Sequence, residues 1–315
     1  MNLSHAYAPP PPAEYSARLL NHALDLGVRM LDTAALYGGG NNERLIAEAV
    51  GHRRSEFVLA SKCVLGMRAG QRILDGSPEA IAASIDGSLE RLGMDHIDLM
   101  YLHRPDPNVP IEESVGALVR AKEVGKIGAI GLSEMSAETI RRAHAVHPVA
   151  AVQTEYSLTV RNPEIAALDT CAELGIGFVA FSPVARGLLA AGVRDDAYSS
   201  GDIRSHMPRF TGANLQHNLA AVRAFDALAK EAGVRPAQLA LAWLLARAPH
   251  VVPIPGTTRI EHLEEDIAAA TIRVPADLLS RAETIFAPGA IRGARYSRAM
   301  QAQVGTETFS DEELA

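Results

Sequence analysis

The most constraining feature of this sequence is a sevenfold alternation of short apolar, β-type runs with longer segments of helical periodicity. The predicted strands cover residues 28–34, 57–63, 97–103, 127–133, 150–156, 177–183 and 251–257. Strands that alternate with helices form a parallel sheet, and runs that are apolar on both faces are buried on both sides. The alternation therefore predicts an α/β fold around a central parallel sheet.

The segments between and after these strands carry helix signals at the expected places. The predicted helices cover residues 13–26, 42–50, 78–92, 111–124, 137–144, 163–174, 216–232, 236–246 and 260–269. Ser77 and Pro78 supply an N-cap and a first-turn proline. Glycines stand where a left-handed residue closes a helix, at Gly27, Gly93, Gly125 and Gly175. The boundaries therefore agree with the periodicity.

Seven strand–helix units are one short of a (β/α)8 barrel, which typically needs about 250 residues. The chain has 315 residues, and the helix at 13–26 should follow a strand of its own. Only Met1–Pro12 is available for that strand, and its prolines cannot stand in a central strand. We therefore expect a (β/α)8 TIM barrel whose first strand is either reduced to a few residues around Leu3 or absent.

We assign residues 1–315 to a single domain with two irregular regions. The stretch 184–214 is rich in Gly, Ser, Asp and Arg, and a loop of that length is usually functional. The tail 288–315 is also irregular, and either lies over the barrel or is mobile.

Charge and composition exclude several classes of partner. The formal net charge of −7 gives no electrostatic reason to expect nucleic acid or an anionic membrane, and no run approaches the length of a membrane span. Cys63 and Cys171 cannot make a disulfide framework, which favours a cytoplasmic setting. No carboxylate or cysteine joins His144 and His147, so no metal site is expected. The sequence is compatible with a homo-oligomer.

Four polar side chains are predicted to meet at the carboxyl ends of three successive strands, where such barrels place their active sites. Asp32, Lys62 and His103 end these strands, and Tyr37 follows the first. A lysine ammonium lowers the pKa of a nearby phenol, and a carboxylate keeps that lysine charged. A histidine can hydrogen-bond a carbonyl oxygen. The set suits protonation of a carbonyl oxygen, with hydride supplied by a redox cofactor.

Two late loops are candidates for a phosphate site. One begins SPVARG at residues 182–187 and contains Arg186, and the other is PGTTR at residues 255–259. In the second loop a glycine and hydroxyls precede a helix, and Arg259 could pair with a phosphate. The alternative is an ordinary capped helix with a surface arginine.

Seven segments run in order through nearly the whole chain. They are LDTAALYG (31–38), LASK (59–62), DHIDLMYLHRPDP (95–107), GKIGAIGLSE (125–134), VQTEYSL (152–158), FSPVARGLL (181–189) and VPIPGTTRIEHLEED (252–266). Together they resemble the aldo-keto reductase family, and specifically its bacterial branch similar to pyridoxal reductase-like and potassium-channel β-subunit-like members. The resemblance implies an NADPH-dependent reductase of aldehydes or ketones, with a small-molecule carbonyl substrate.

The resemblance also implies a role for each matching residue. The catalytic tetrad is Asp32, Tyr37, Lys62 and His103, with Tyr37 as general acid. Ser133 and Gln153 hold the nicotinamide carboxamide, and Phe181 stacks on its ring. The residues that follow the pyrophosphate are Ser182, Pro183, Arg186 and Leu188. Those that meet the 2′-phosphate are Gly256, Thr257, Thr258 and Arg259, with Glu265 and Asp266 near the adenine.

Two departures from the family pattern keep alternatives open. The family usually has Asn where Asp266 stands, which weakens the case for NADPH over NADH, although Arg259 still favours NADPH. Relatives also carry a longer N-terminal segment with the first barrel strand. One alternative is therefore a truncated cofactor-binding pseudo-enzyme without turnover. Another is a Schiff-base lyase using Lys62, which would need a depressed lysine pKa and no close carboxylate.

Overall fold

A computed structural model describes residues 1–68 and 71–314. The strands formed by the described residues are β1 (Met30–Asp32), β2 (Val58–Cys63), β3 (Leu65–Arg68), β4 (Gln71–Leu74), β5 (Ile97–Leu102), β6 (Ile127–Ser133), β7 (Ala151–Glu155), β8 (Gly177–Phe181) and β9 (Val251–Ile254). The helices are α1 (Ala13–Asp25), α2 (Asn41–Val50), α3 (Pro78–Leu92), α4 (Ile111–Glu123), α5 (Ala137–Val146), α6 (Ala167–Leu174), α7 (Gly212–Glu231), α8 (Pro236–Leu245), α9 (Ile260–Ala268), α10 (Ala276–Ile285) and α11 (Arg298–Gln301).

The seven predicted strands form one parallel sheet in the order β1-β2-β5-β6-β7-β8-β9. Neighbouring strands pair in chain order, so each strand–helix unit adds one strand beside the last. The sheet curves into a nearly closed barrel with helices around it, which confirms the predicted fold class. All carboxyl ends of the strands therefore lie at one mouth.

The N-terminal segment crosses the mouth without forming a strand. Residues 1–12 contain no strand, and the Ser4 amide closes a turn onto the Met1 carbonyl. Asn2 donates to the Gly256 carbonyl at 3.1 Å, while Asn42 donates to the Ser4 hydroxyl at 2.8 Å. Of the two alternatives for the first strand, absence is therefore the observed one within the described residues. Helix α1 packs against both α2 and α9, so the helical layer continues where the sheet has its two edges.

The strand residues divide between two apolar regions because successive side chains point to opposite faces. The main cluster lies between the sheet and the helices and extends from α1 to the tail. A smaller cluster contains Tyr101 and Val179. A side chain at Gly131 would meet the Tyr101 ring at 2.4 Å, so the glycine makes room for that ring.

Several regular elements lie outside the predicted ones, and they are short or peripheral. Strands β3 and β4 form an antiparallel hairpin, and α10 follows the last predicted helix. The tail is not wholly irregular, because it contains α11. It lies over the barrel mouth, where Gly305 donates to the Glu134 carbonyl at 2.8 Å and Asn162 donates to the Glu307 carbonyl at 3.0 Å. Within residues 1–68 and 71–314, no helix is both long and apolar enough to cross a membrane.

Candidate active site

The structure brings the four predicted tetrad residues together at the barrel mouth. We call Asp32, Tyr37, Lys62 and His103 the rim cluster. Asp32 ends β1, Lys62 stands one residue before the end of β2, and His103 directly follows β5. Because these parallel strands are neighbours in the sheet, their carboxyl ends carry the side chains to the same place.

Lys62 is the centre of the rim cluster. Its Nζ forms an ion pair with the Asp32 carboxylate, donates to the Thr33 carbonyl at 2.8 Å and lies 3.3 Å from the Tyr37 hydroxyl. The side chain is fully buried. Burial by itself would lower the pKa of Lys62, but Asp32 and then Tyr37 raise it above its ordinary value. Lys62 is therefore a charged ammonium at neutral pH.

Tyr37 is held as a protonated phenol. Burial raises its pKa, and the Lys62 ammonium lowers it by less than burial raises it. The expectation of a lowered pKa is therefore wrong in its net direction, because the cost of desolvating a phenolate exceeds the attraction of one cation. Tyr37 therefore retains its proton at neutral pH and lies beside the Lys62 ammonium.

His103 contributes a neutral imidazole with an unpaired nitrogen. Its ring meets the Tyr37 ring edge-on, with centroids 5.9 Å apart. Burial, then Arg104 and Lys62, hold its pKa well below the ordinary value. Nδ1 is buried and has no hydrogen-bond partner among the described residues. Buried polar atoms are normally paired, so an unpaired one at a barrel mouth is suited to a ligand.

Ser133 and Gln153 lie on β6 and β7, the two strands that follow those of the rim cluster in the sheet. They are register partners, with Ser133 at the carboxyl end of β6 and Gln153 in the middle of β7, and both are buried. Gln153 donates its Nε2 to Asp32 at 2.7 Å, which connects β7 to the rim cluster. Phe181 ends β8 and is partly exposed at the mouth.

The loop predicted to follow the pyrophosphate is tightly folded. Ser182 and Arg186 have left-handed φ values of 51° and 55°. Pro183 is buried, and Leu188 is fully buried with its side chain in the hydrophobic core. The Arg186 guanidinium points away from solvent and donates to Glu155 at 2.9 Å. The pyrophosphate assignment of these residues stays a prediction.

A second buried group of charges lies at the same mouth. We call Glu134, Glu155, Arg186, Arg295 and Tyr296 the tail cluster. Arg295 forms an ion pair with Glu134 and also donates to Glu155 at 3.0 Å, while the Tyr296 hydroxyl donates to Glu155 at 2.8 Å. Burial alone would raise the pKa of Glu155, but Arg186 and Arg295 lower it to about 2. The carboxylate is therefore ionised.

Arg295 and Tyr296 are two residues at this mouth that the sequence did not reveal. Glu134 and Glu155 are recognisable as polar side chains at strand ends. Arg295, in contrast, belongs to a tail with no periodicity and stands 161 residues from Glu134. No local pattern signals such a pairing.

The last loop is the most open of the predicted cofactor positions. Gly256 and Arg259 are exposed, Thr257 and Thr258 are half-buried, and the Thr257 hydroxyl accepts from the Arg259 amide at 3.0 Å ahead of α9. On α9, Glu265 and Asp266 are partly buried. Burial, then Glu265, raise the pKa of Asp266 to about 7.

Comparison with known proteins identifies the family. The model of the aldo/keto reductase family matches residues 1–286. A probable aldo-keto reductase from Glycine max is 39% identical over 299 residues, covering 94% of this chain and 86% of the relative.

Solved structures are similar over most of their length. A glycerol dehydrogenase from Gluconobacter oxydans superposes with a TM-score of 0.81 at 25% identity, covering 98% of this chain and 92% of that protein. A thermostable aldo-keto reductase in complex with the inhibitor epalrestat gives 0.71 at 28% identity, with 90% and 92% covered. An aldo/keto reductase from Klebsiella pneumoniae, in complex with NADP and acetate, gives 0.69 at 25% identity, with 90% and 89% covered. The family match, the barrel and the rim cluster agree, and the chain belongs to the aldo/keto reductase family of oxidoreductases.

Proposed function

We propose that this protein reduces aldehyde or ketone carbonyls with NADPH and that Tyr37 is the general acid. One observation carries the proposal: a phenol that burial keeps protonated lies 3.3 Å from a charged ammonium, that of Lys62. As negative charge develops on a carbonyl oxygen, the Tyr37 hydroxyl donates its proton to that oxygen. Lys62 then stabilises the phenolate, and Asp32 keeps Lys62 charged and in place.

His103 supports the same step as a hydrogen-bond donor. Its lowered pKa keeps the imidazole neutral, so a ring N–H orients the substrate oxygen without competing with Tyr37 as the acid. Lys62 and His103 are buried and Tyr37 is partly buried, and the reduced contact with water strengthens each of these interactions.

The residues at the mouth fit a nicotinamide cofactor, which would supply hydride when bound. Ser133 and Gln153 present a hydroxyl and an amide from neighbouring strands, the donor and acceptor set that a carboxamide needs. Because Gln153 uses its Nε2 on Asp32, its Oε1 is left to accept from the carboxamide. The aldo/keto reductase from Klebsiella pneumoniae was solved with NADP, which supports the same class of cofactor here.

The preference for NADPH rests on Arg259. Its side chain is 62% exposed and has only a 3.4 Å contact with Glu261 in the described chain, so the guanidinium is available to a 2′-phosphate. Asp266 opposes this preference when ionised, but a pKa of about 7 leaves much of it neutral at neutral pH. We therefore place the adenosine 2′-phosphate beside the loop at residues 256–259.

The Schiff-base alternative is not supported by the geometry. An imine-forming lysine needs a depressed pKa and no close carboxylate. Lys62 has a raised pKa and an ion pair with Asp32, which are the opposite conditions. The remaining alternative is a protein that binds the cofactor without turnover.

The test is NADPH oxidation by the purified protein with a panel of aldehydes and ketones. We expect turnover by the wild type and a loss of roughly 10²- to 10⁴-fold in Tyr37→Phe, because the general acid is removed. NADPH binding, followed by fluorescence quenching, should be retained. The matched control is Tyr156→Phe, whose hydroxyl donates to Glu164 on the helical side of the sheet.

Two outcomes would contradict the proposal. If the wild type binds NADPH but turns over no substrate, and Tyr37→Phe behaves identically, the protein binds cofactor without catalysis. If the wild type neither quenches NADPH fluorescence nor oxidises NADPH, both the proposed reductase activity and the alternative of cofactor binding without turnover are wrong.

A further inference from the structure

We propose that Arg295 is a positioning residue for the nicotinamide end of the cofactor site. Through Arg295, docking of the C-terminal tail fixes the two strand ends that present Ser133 and Gln153. The inference rests on the proposed function for the identity of the ligand. Arg295 itself contacts neither residue; it acts through Glu134 and Glu155.

The ends of β6 and β7 are tied together by Glu134. The Glu134 amide donates to the Gln153 carbonyl at 3.1 Å, and the Glu155 amide donates to the Glu134 side chain at 2.9 Å. Glu134 directly follows Ser133 and adopts a left-handed φ of 56°. That conformation is sparsely populated by residues with a side chain, and it persists where the surroundings hold it. The positions of Ser133 and Gln153 therefore depend on what holds Glu134.

The tail supplies what holds Glu134. The Glu134 carboxylate is fully buried, and Arg295 is its ion-pair partner in the described chain. Thr306 donates to the second carboxylate oxygen at 3.1 Å, and Gly305 donates to the Glu134 carbonyl at 2.8 Å. Removal of Arg295 would leave a buried, uncompensated carboxylate next to Ser133, which strongly destabilises that arrangement.

Arg295 also differs from the other cation of the tail cluster. Glu155 accepts from both Arg186 and Arg295, at 2.9 and 3.0 Å. Arg186 belongs to the loop predicted to follow the pyrophosphate, so an anion there competes with Glu155 for it. Arg295 lies in the tail and contacts both carboxylates, so it stays with them whichever anion Arg186 binds. The tail cation thus keeps the ends of β6 and β7 in place.

If tail docking fixes the site, cofactor binding must in turn fix the tail, because coupling between two binding events is reciprocal. We expect Arg295→Met to weaken NADPH binding by about tenfold and Arg295→Lys to recover part of that loss. Arg298→Met is the matched control, since Arg298 is an exposed arginine on α11. It should change the dissociation constant by less than about twofold.

The second measurement needs no variant. Thermolysin cleavage of the tail in the wild-type protein should slow when NADPH is saturating, by a factor comparable to the loss of affinity in Arg295→Met. A purely structural role for Arg295 would lower the unfolding temperature but leave both the NADPH dissociation constant of the folded protein and the response of the tail to NADPH unchanged.

Failure of this inference is distinguishable from failure of the proposed function. Absence of NADPH binding by the wild type overturns the proposed function. The positioning role alone is overturned if Arg295→Met binds NADPH with wild-type affinity. It is also overturned if NADPH does not change the rate of tail cleavage in the wild type. If Arg295→Met does not fold, the cleavage experiment and Arg295→Lys still decide.

Discussion

The rim cluster and the tail cluster are two groups of polar and charged side chains at one barrel mouth, and they differ in what they leave unpaired. In the rim cluster, Tyr37 keeps its phenolic proton at neutral pH and the buried Nδ1 of His103 has no partner among the described residues. In the tail cluster, Glu134 and Glu155 each meet a guanidinium. Unpaired polar groups are costly and are kept where a ligand completes them, whereas paired charges hold structure.

The two clusters also differ in how they are assembled. The rim cluster comes from the first three strand–helix units, whose strands β1, β2 and β5 are neighbours in the sheet. The tail cluster joins β6 and β7 to a segment at the far end of the chain. We therefore expect damage to the rim cluster to affect chemistry first, and damage to the tail cluster to affect stability and cofactor binding first.

The largest expected effect is on the rim cluster. Lys62→Met should reduce carbonyl reduction by roughly 10²- to 10⁴-fold, because the phenolate of Tyr37 loses the cation that stabilises it. The measurement is kcat at saturating NADPH, with the unfolding temperature recorded for each protein. Lys126→Met is the control, since Lys126 makes an exposed pair with Asp86, and such pairs contribute little. If Lys62→Met keeps more than about a tenth of the wild-type activity, the rim cluster does not differ from the tail cluster in its effect on chemistry.

The next effect is on the stability of the tail cluster in acid. The pKa of Glu155 is about 2 in the folded protein, against an ordinary value of 4.5. A lowered folded-state pKa stabilises the protein fully above the unfolded value and loses that contribution as pH falls. We expect the free energy of unfolding to fall by about 3 kcal/mol from this group between pH 4.5 and pH 2.

Urea unfolding at a series of pH values measures this slope. Glu155→Gln should flatten it, whereas Glu173→Gln should not, because Glu173 makes an exposed pair with Arg141. An unchanged slope in Glu155→Gln would mean that Glu155 does not govern acid stability.

The smallest expected effect lies outside both clusters, at the predicted adenosine end. Asp266 has a pKa of about 7, so it is mainly neutral at pH 6 and mainly ionised at pH 8. Ionised Asp266 would repel a 2′-phosphate, so the preference for NADPH over NADH should decrease as pH rises. Asp266→Asn should raise NADPH affinity at pH 8 by about two- to fivefold and leave NADH affinity unchanged.

Dissociation constants for both cofactors at pH 6, 7 and 8 provide this measurement. Glu264→Gln is the control, because Glu264 pairs with His22. An equal change for NADH and NADPH in Asp266→Asn would place the 2′-phosphate elsewhere.

The sequence by itself determined the barrel and the rim cluster. Hydrophobic periodicity is a local property of the sequence, and parallel strands place their carboxyl ends at one mouth. The sequence therefore predicts that Asp32, Lys62 and His103 lie close together. The same argument places Ser133 beside Gln153. These predictions needed only the order of the elements and the alternation of side chains along a strand.

Only the tertiary structure decided how the remaining charges pair. It showed that burial outweighs Lys62 in setting the pKa of Tyr37, that Arg186 turns toward Glu155, and that the Leu188 side chain lies in the core. It also showed that Arg295 joins the tail to Glu134 and Glu155. Desolvation and ion pairing depend on which groups share one buried volume, and packing brings such groups together from positions whose separation in the sequence carries no signal.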